Sequence, residues 1–566
     1  MRKNPARINV AWVHSTTAIP SPDARFRSLL LGILLIGAVL RLYGFTGGLP
    51  AVTDSDEPLF VVIALKMLAG HGLNPGWFGH PATITFYCLV LVFGLAIGAG
   101  LLTGHYSSLH DFIARMYLDP SILFISGRLL IILFALISII LTAMIARRLF
   151  DERVALISAL LLALNPLHIS YSQIIRTDIQ VTVFMLLCVL YSIRIARRGL
   201  LADYAKAGFC LALACATKWP AANIAICMAS AALYHALQRP DQARTQARNL
   251  ALDAMVSVLS LALISPYLIL DYRTVMANLG GEMQLHHLGA TGGGFWYNIG
   301  WYIAHPFRDS IGTAGILLVI TGMVLVLRRG LPAFILLPPV FIFMVSISYQ
   351  TLIWDRWVIP LLPFVSIFIA YAVCSIARAL ALHIGKPRAR PAALLLMLLA
   401  LTVPMVATVK SNAAERITDT RNVAAAWVMK HVPSGQTIFL EHFGFDLLRG
   451  GWRLIFPAGD VGCVDVAAQL GGKIKYDQMG KWRGSRAIVD YGTVNAKNLG
   501  TCAADYAIFS HYDRYARERA VYPHEAARYE AAIRAGTLMA TFRPVPGEIG
   551  GPTLRIVRMK HGFKKN

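Results

Sequence analysis

Acids and cations recur at the ends of apolar runs in this chain, in kinds that suit an anionic ligand held near an acid or base. The stretch T-D-S-D-E-P sets Asp54, Asp56 and Glu57 just past the first apolar run. S-Q-I-I-R-T-D brings Arg176 and Asp178 to the junction of two later runs, and A-T-K-W-P isolates Lys218 between two more. I-W-D-R-W-V-I-P places Arg356 beside Asp355, and G-H-P-A-T puts His80 ahead of the apolar stretch 84–104. Carboxylates so close to a lipid interface are costly unless solvated, paired or used. Gathered together, Asp54, Asp56, Glu57 and Asp178 would supply a base and its neighbours. Arg176, Lys218, Arg356 and His80 would suit an anionic ligand, because arginine forks phosphate oxygens and lysine adds a point charge. Each stretch alone has a plainer reading. The acids form an ordinary hydrophilic loop, Arg176 and Asp178 a structural ion pair, Lys218 a snorkelling anchor and His80 a hydrogen-bonded structural residue.

The scaffold that positions them is membranous. Of 566 residues, 56% are hydrophobic and 15% charged, with a mean hydropathy of +0.58; soluble domains carry about 25% charged residues. A hydrocarbon core about 30 Å thick takes roughly 20 helical residues to cross. Apolar runs fall near 28–46, 84–104, 121–146, 154–172, 179–194, 204–217, 219–237, 251–270, 311–328, 331–350, 357–378 and 391–409. The loops between them carry Arg147, Arg148 and Arg153; Arg194, Arg197 and Arg198; Arg239, Arg244 and Arg248; Arg328 and Arg329; and Lys386, Arg388 and Arg390. Such clusters stay in the cytoplasm. If the first run leads outward, one crossing alone separates residues 47–83 from Arg147, yet two runs are available. The run 84–104 follows a Gly- and Pro-rich loop and carries several glycines itself, so it is expected to lie along the outer leaflet. About eleven spans remain. Residues 1–27 are then cytoplasmic, and 28–409 form the membrane domain with a catalytic first loop at 47–120. The outside holds 47–120, 173–178, 218, 271–310, 351–356 and 410–566, and with them all the polar residues named above.

The net charge of +23 is carried largely by those short loops, which orient a membrane protein, so nucleic acid is excluded as a partner. Cys88, Cys188, Cys210, Cys215, Cys227 and Cys374 lie in the apolar part without metal-ligand spacing. Cys463 and Cys502 in the tail are either a disulfide of an oxidising compartment or two separate core thiols. Arg2, Lys3, Arg7, Arg25 and Arg27 precede a run with no small-residue cleavage site after it, which reads as an uncleaved anchor. In loop 271–310, His286 and His287 are adjacent and do not share a helix face. With the glycines at 292–294 and Phe295, Trp296, Tyr297 and Trp301, the loop reads as a mobile lid. The tail, 410–566, alternates helix-like pieces (418–431, 523–535) with strand-like ones (437–440, 506–509, 554–557), a small α/β domain. Its Tyr506, His511, Tyr512, Asp513 and Tyr515 are expected to pack rather than to touch an acceptor.

The order D-E after the first run, H-P before an apolar stretch, R-T-D, T-K and R-W-V-I-P-L-L-P resembles the GT-C superfamily of membrane glycosyltransferases. It is most similar to the protein O-mannosyltransferase and aminoarabinose-transferase branch (glycosyltransferase family 39 type). D-T-R-N-V-A-A-A-W-V-M-K-H-V-P-S-G-Q-T-I-F-L-E resembles the start of the extracytoplasmic domain in bacterial members, and A-D-Y-A-I-F-S and G-P-T-L-R-I-V match its strands. The resemblance implies a polytopic α-helical membrane protein with a C-terminal soluble α/β domain, in the cell inner (plasma) membrane. It implies a polyprenyl-phosphate-linked sugar as donor and inversion at the anomeric carbon. Asp56 would be the essential first-loop aspartate with Glu57 beside it, Arg176 and Asp178 a second acidic site, and Lys218 and Arg356 the phosphate-binding cations. The chain departs from the family at Ala82, where a second proline is usual, and its extra Asp54 leaves two candidates for the base.

The expected reaction is attack by an acceptor hydroxyl or phosphate on the anomeric carbon, with Asp56 as base. Arg356, Lys218 and Arg176 would stabilise the departing phosphate, and the run 84–104 with its neighbours would form the groove for the prenyl chain. No cofactor is required; a divalent metal held by Asp56 and Asp178 is compatible with these ligands. The partners are the lipid-linked donor, membrane lipids and an acceptor that is a protein, lipid A or another glycan. A secondary transporter or lipid flippase would show paired repeats and midplane charges, whereas these charges gather at helix ends. A non-catalytic assembly protein would leave the one-sided acids and cations unexplained.

Overall fold

A computed structural model describes residues 23–386, 389–441, 444–471, 473, 476–484, 486 and 488–559; Arg2, Lys3, Arg7 and Arg388 lie outside the described residues. Every expected apolar run is helical. The chain enters through α1 (Ala24–Leu42), and the first loop holds α2 (Glu57–Lys66), α3 (Thr83–Leu102) and α4 (Leu109–Leu118). Then follow α5 (Ser121–Leu149), α6 (Glu152–Leu164), α7 (Pro166–Ser172), α8 (Thr177–Arg198), α9 (Leu201–Thr217), α10 (Ala225–Gln238) and α11 (Ala243–Ile264). The loop after α11 carries α12 (Tyr267–Leu270) and α13 (Tyr272–Glu282), and α14 (Phe295–Tyr302) leads into α15 (Arg308–Leu327). α16 (Gly330–Ser348), α17 (Leu362–Ile384) and α18 (Ala389–Ile417) complete the bundle. Among the described residues, nine helical stretches are long and apolar enough to cross a membrane, and α6 with α7 forms a further pair bent by 59°. That bend sits where Asn165 caps the His168 amide (3.0 Å) and Pro166 opens the next helix, a proline placement that suits a helix start.

The basic clusters meet at one end of the bundle. Arg197 donates to the Arg148 carbonyl (2.5 Å), and Arg147 pairs with Glu152 (2.9 Å). Arg329 donates to Tyr371 (2.8 Å), whose ring stacks on Phe150 at 4.3 Å. The acids and cations singled out above gather at the opposite end, called here the site end.

α3 is itself apolar enough to span, and its first turns meet the site ends of other helices. The Ala82 amide donates to Thr217 O (3.2 Å), Thr83 bonds Ser265, and Thr85 donates to Gln180 (2.6 Å), all at the site ends of their helices. Leu89 lies against Gly127, near the site end of α5, and Gly94 faces Leu68 just after α2. Phe86, Leu89, Phe93 and Ile97 of this helix join one buried apolar cluster with Phe60, Phe112, Leu123 and Ile175.

The site is mounted on the helices most removed from lipid. The most apolar windows of α8 and of Asp355–Ile384 are 83% and 89% buried, against 17% for α11 and α18, which leave their apolar sides for the bilayer. Tight approaches lock this centre: a Cβ on Gly322 of α15 would meet the Phe368 carbonyl of α17 at 2.2 Å. Small residues of this kind carry helix packing in lipid, where apolar surfaces alone give little drive to associate.

α18 runs past the expected boundary at 409, to Ile417, and the tail follows. Its six strands lie in the order β3-β2-β1-β4-β6-β5. They are β1 (Thr437–Leu440), β2 (Arg453–Pro457), β3 (Cys463–Asp465), β4 (Tyr506–Phe509), β5 (Gly536–Phe542) and β6 (Leu554–Met559). Pairings β1–β2 and β1–β4 are parallel and the rest antiparallel. Side chains alternate across the sheet as strand geometry requires: Ile438, Leu440 and Ile508 pack on α19 (Thr420–His431), while Phe439, Phe509 and Val557 pack with Tyr529. Helices α20 (Val466–Leu470), α21 (Tyr476–Arg483), α22 (Tyr512–Arg517) and α23 (Pro523–Ala535) complete the domain. A disulfide joins Cys463 to Cys502. Tyr506 and Tyr515 are buried, Tyr515 and His511 bond Asp490, and Asp513 pairs with Arg555, so this cluster is used in packing.

Candidate active site

Each charged side chain of the site sits where a helix starts or breaks. Arg176 caps α8 in an extended conformation (φ −146°, ψ 162°), and Asp178 follows in the first turn, where the helix dipole favours an anion. Lys218 is extended (φ −155°, ψ 130°) between α9 and the 3₁₀ turn Trp219–Ile224. Arg356 lies in a second 3₁₀ turn, Asp355–Leu361, after an extended Trp354, and Asp56 is the N-cap of α2.

The ion pairs differ from those the spacing suggests. Arg176 does not pair with Asp178; it reaches the first loop, binding Asp56 at 2.5 Å and Asp54 at 3.3 Å. Asp178 instead grips Lys218, and both are buried, so Lys218 is no snorkelling anchor. The two first-loop aspartates differ in what they have left to offer. Asp54 Oδ1 accepts the amides of Asp56 (3.0 Å) and Glu57 (3.1 Å). Burial alone would raise the Asp54 carboxyl, but Arg176 and these amides outweigh it and hold the group below the usual carboxylate range. The Asp56 side chain is 45% exposed against 22% for Asp54.

Glu57, expected beside the base in a catalytic role, is fully buried and saturated. Arg128 grips it through Nε (2.9 Å) and Nη2 (2.6 Å), and the Ile175 amide donates to it at 2.8 Å. Arg128 Nη1 also binds the carbonyls of Phe45 (2.7 Å) and Gly47 (3.0 Å). The pair therefore ties α1, α2, α5 and the approach to α8 together, a positioning role.

Arg356 is the spare cation: among the described residues no carboxylate pairs with its guanidinium, which lies over the Trp354 ring at 4.1 Å. Asp355 is taken up by the Tyr171 hydroxyl (2.6 Å) and the Arg356 amide (2.8 Å). His80 is half-buried, 5.5 Å from the Trp77 ring. Burial, with the charges of Lys218 and Arg356 added, pushes its imidazole down to about 3, and Asp178 and Asp56 only partly oppose this. His80 is neutral at ordinary pH.

A narrow apolar cavity opens on the buried pair. It is lined by Asp178 and Lys218 together with Met185, Phe343, Ile347, Trp357 and Pro360. Its walls are α8, α16 and the two 3₁₀ turns. A metal between Asp56 and Asp178 does not fit: each carboxylate is bound to a different cation, and no group of three His, Cys, Asp or Glu is placed for an ion among the described residues.

Three participants escaped the sequence reading. Arg128 was visible as a lone charge about two turns into an apolar run, a position that marks function or structure. Tyr171, inside the run 154–172, carried no such mark. Glu282, the last residue of α13, is brought in by packing: Asn278 accepts the Phe78 amide (2.7 Å) and Asp271 binds Asn74 (2.9 Å). A Cβ on Gly79 would lie 2.5 Å from Glu282 Oε1, and the charges of Arg356, Asp56 and Lys218 act on this carboxylate. The expected lid is fastened. Leu288 is buried in the tail's core, Gly289 donates to Glu518 (2.7 Å), and Gly292 to Thr351 O (2.8 Å).

Residues 122–270 match a family described as dolichyl-phosphate-mannose-protein mannosyltransferase. No curated protein matches the chain in sequence. ArnT from Cupriavidus metallidurans in the apo state is similar in structure, with a TM-score of 0.54 at 13% identity over 94% of this chain and 97% of that one. The same protein bound to undecaprenyl phosphate gives 0.52 at 13% identity, covering 95% and 98%. An Archaeoglobus fulgidus oligosaccharyltransferase tethered to an acceptor peptide gives 0.52 at 13% identity, covering 92% of this chain and 73% of that one. The chain thus matches that family over residues 122–270 of its membrane part and shares its fold, along nearly its whole length, with these solved structures.

Proposed function

We propose that the chain is an inverting glycosyltransferase that moves a sugar from a polyprenyl-phosphate donor to an acceptor hydroxyl or phosphate. The observation that carries this is the pair of buried cations at the site, Lys218 held by Asp178 and Arg356 on the adjoining turn with no carboxylate partner among the described residues. The phosphate of such a donor suits these cations. That ArnT has been captured with undecaprenyl phosphate on the same fold supports the donor class.

In this reading Asp56 takes the proton of the acceptor hydroxyl as the new oxygen–anomeric carbon bond forms. The bond from that carbon to the phosphate oxygen breaks, and polyprenyl phosphate leaves with the electron pair. Arg356 and Lys218 stabilise the growing charge in a site shielded from water. Asp178 holds Lys218, Arg176 holds Asp56, and Glu282 is placed for the sugar's polar groups. With the basic clusters retained in the cytoplasm, the site end is extracytoplasmic and the N-terminus cytoplasmic, in the cell inner membrane.

The test uses membranes lacking the native protein, supplied with labelled polyprenyl-phosphate sugars. Wild type transfers label, and Asp56→Asn loses about 10²–10⁴-fold in rate, the usual contribution of a positioned base. Full activity in a folded Asp56→Asn protein would overturn the assignment of the base, and failure of wild type with every such donor would overturn the reaction class.

A further inference from the structure

A second cavity lies at the end opposite the site, where the proposed reaction has no use for it. It encloses about 700 Å³, within the roughly 300–1,000 Å³ of small-molecule sites. Arg153 of α6, Arg378 of α17 and Arg390 of α18 line it, with Ala381, Leu382, Pro391 and Leu394 as its apolar wall. Among the described residues no carboxylate lines it. The acids nearest in sequence are occupied: Glu152 pairs with Arg147 (2.9 Å), and Asp151 caps α6, accepting the amides of Arg153 and Val154 (2.9 Å each). Arg390 Nε is buried and has no hydrogen-bond partner among the described residues. α18 begins at this cavity with no acid in its first turn, so its positive end is also uncompensated.

Orientation in the membrane needs only exposed positive charge. It does not need three guanidiniums around a hollow, nor a buried donor left open. We infer that this cavity binds a phosphate ester, and that its source is the headgroup of an anionic membrane lipid. The apolar side decides for lipid over a soluble ion: Leu382 is 78% exposed at the rim, where an acyl chain would cover it. Basic pockets between helices at this face of a membrane suit such headgroups.

The experiment uses the full-length protein in detergent, with native mass spectrometry reading bound lipid. Phosphatidylglycerol, phosphatidylethanolamine and inorganic phosphate are the three probes. Wild type retains phosphatidylglycerol in preference to phosphatidylethanolamine. The double variant Arg378→Gln/Arg390→Gln binds it at least about tenfold more weakly, while Arg239→Gln/Arg244→Gln, exposed arginines outside the cavity lining, bind as wild type does. Equal retention by the first double variant, or no preference in wild type, would overturn the site. If inorganic phosphate displaces phosphatidylglycerol completely at millimolar concentration, and depends on the same arginines, the lipid source is overturned. Circular dichroism of both variants establishes that they are folded before binding is compared.

Discussion

A carboxylate that removes a proton must keep an oxygen free to receive it. Asp54 spends its oxygens on two amides and Arg176, whereas Asp56 gives one to Arg176 and stays 45% exposed. That distinction was illegible in T-D-S-D-E-P, because it rests on a guanidinium 120 residues away in sequence from Asp56. Ala82 is likewise explained only by geometry. It sits at φ +51° as the chain turns into α3, a conformation closed to proline, whose ring fixes φ near about −65°. The family's usual second proline therefore has no place in this turn. His80 yields a prediction at this scale. Its proton is lost as pH rises through about 3, so the ring is neutral across about pH 6–8, where an ordinary histidine titrates. The pH–rate profile of His80→Asn should keep the wild-type shape in that window; disappearance of a wild-type inflection near neutrality would show that His80 titrates there after all.

At the scale of elements, the apolar runs and their helices were legible because hydropathy over about 20 residues reports lipid crossing directly. Packing decided the rest. Length and composition make α3 a candidate span, while only packing shows that Thr83, Thr85 and Leu89 of its first turns contact site ends of other helices. In the tail, β1 and β4 were readable as apolar runs. β2, β3 and β5 were not: Arg453–Pro457 begins with a charge, Cys463–Asp465 is three residues long, and Gly536–Phe542 is mostly exposed. The pair Glu57 and Arg128 belongs to this scale, since it fastens four elements at once. Removing one partner of a buried ion pair costs about 3–5 kcal/mol. Glu57→Gln should therefore lower the unfolding temperature markedly, whereas Asp56→Asn should leave it nearly unchanged. Equal melting of Glu57→Gln and wild type would return Glu57 to the candidates for chemistry.

Across the whole molecule, charge is sorted by end, with the basic clusters at one and the mixed acids and cations at the other. This was the part of the site most legible in the sequence, since membrane crossings sort loops by parity. How the tail covers the site was not legible. Arg421, in the tail's first helix, forks Asp419 (2.8 and 2.7 Å) and donates to Thr53 O (2.5 Å), next to the first-loop acids. Gly289 and Leu288 join the same domain to the loop that carries Glu282. The tail thus clamps both loops that border the site. Arg421→Ala should raise amide exchange over residues 47–56 several-fold and slow transfer, without changing which donor is used. Unchanged exchange there would show the clamp to be idle.

The central claim is that Arg356 and Lys218 receive a polyprenyl phosphate while Asp56 acts only on the acceptor. The most direct measurement is equilibrium binding of undecaprenyl phosphate to purified wild type, Arg356→Gln and Asp56→Asn. Losing hydrogen bonds to a charged group costs about 1.5–3 kcal/mol, so Arg356→Gln should bind roughly ten- to a hundredfold more weakly, and Asp56→Asn as tightly as wild type. Wild-type affinity in Arg356→Gln, or lost binding in Asp56→Asn, would contradict the account.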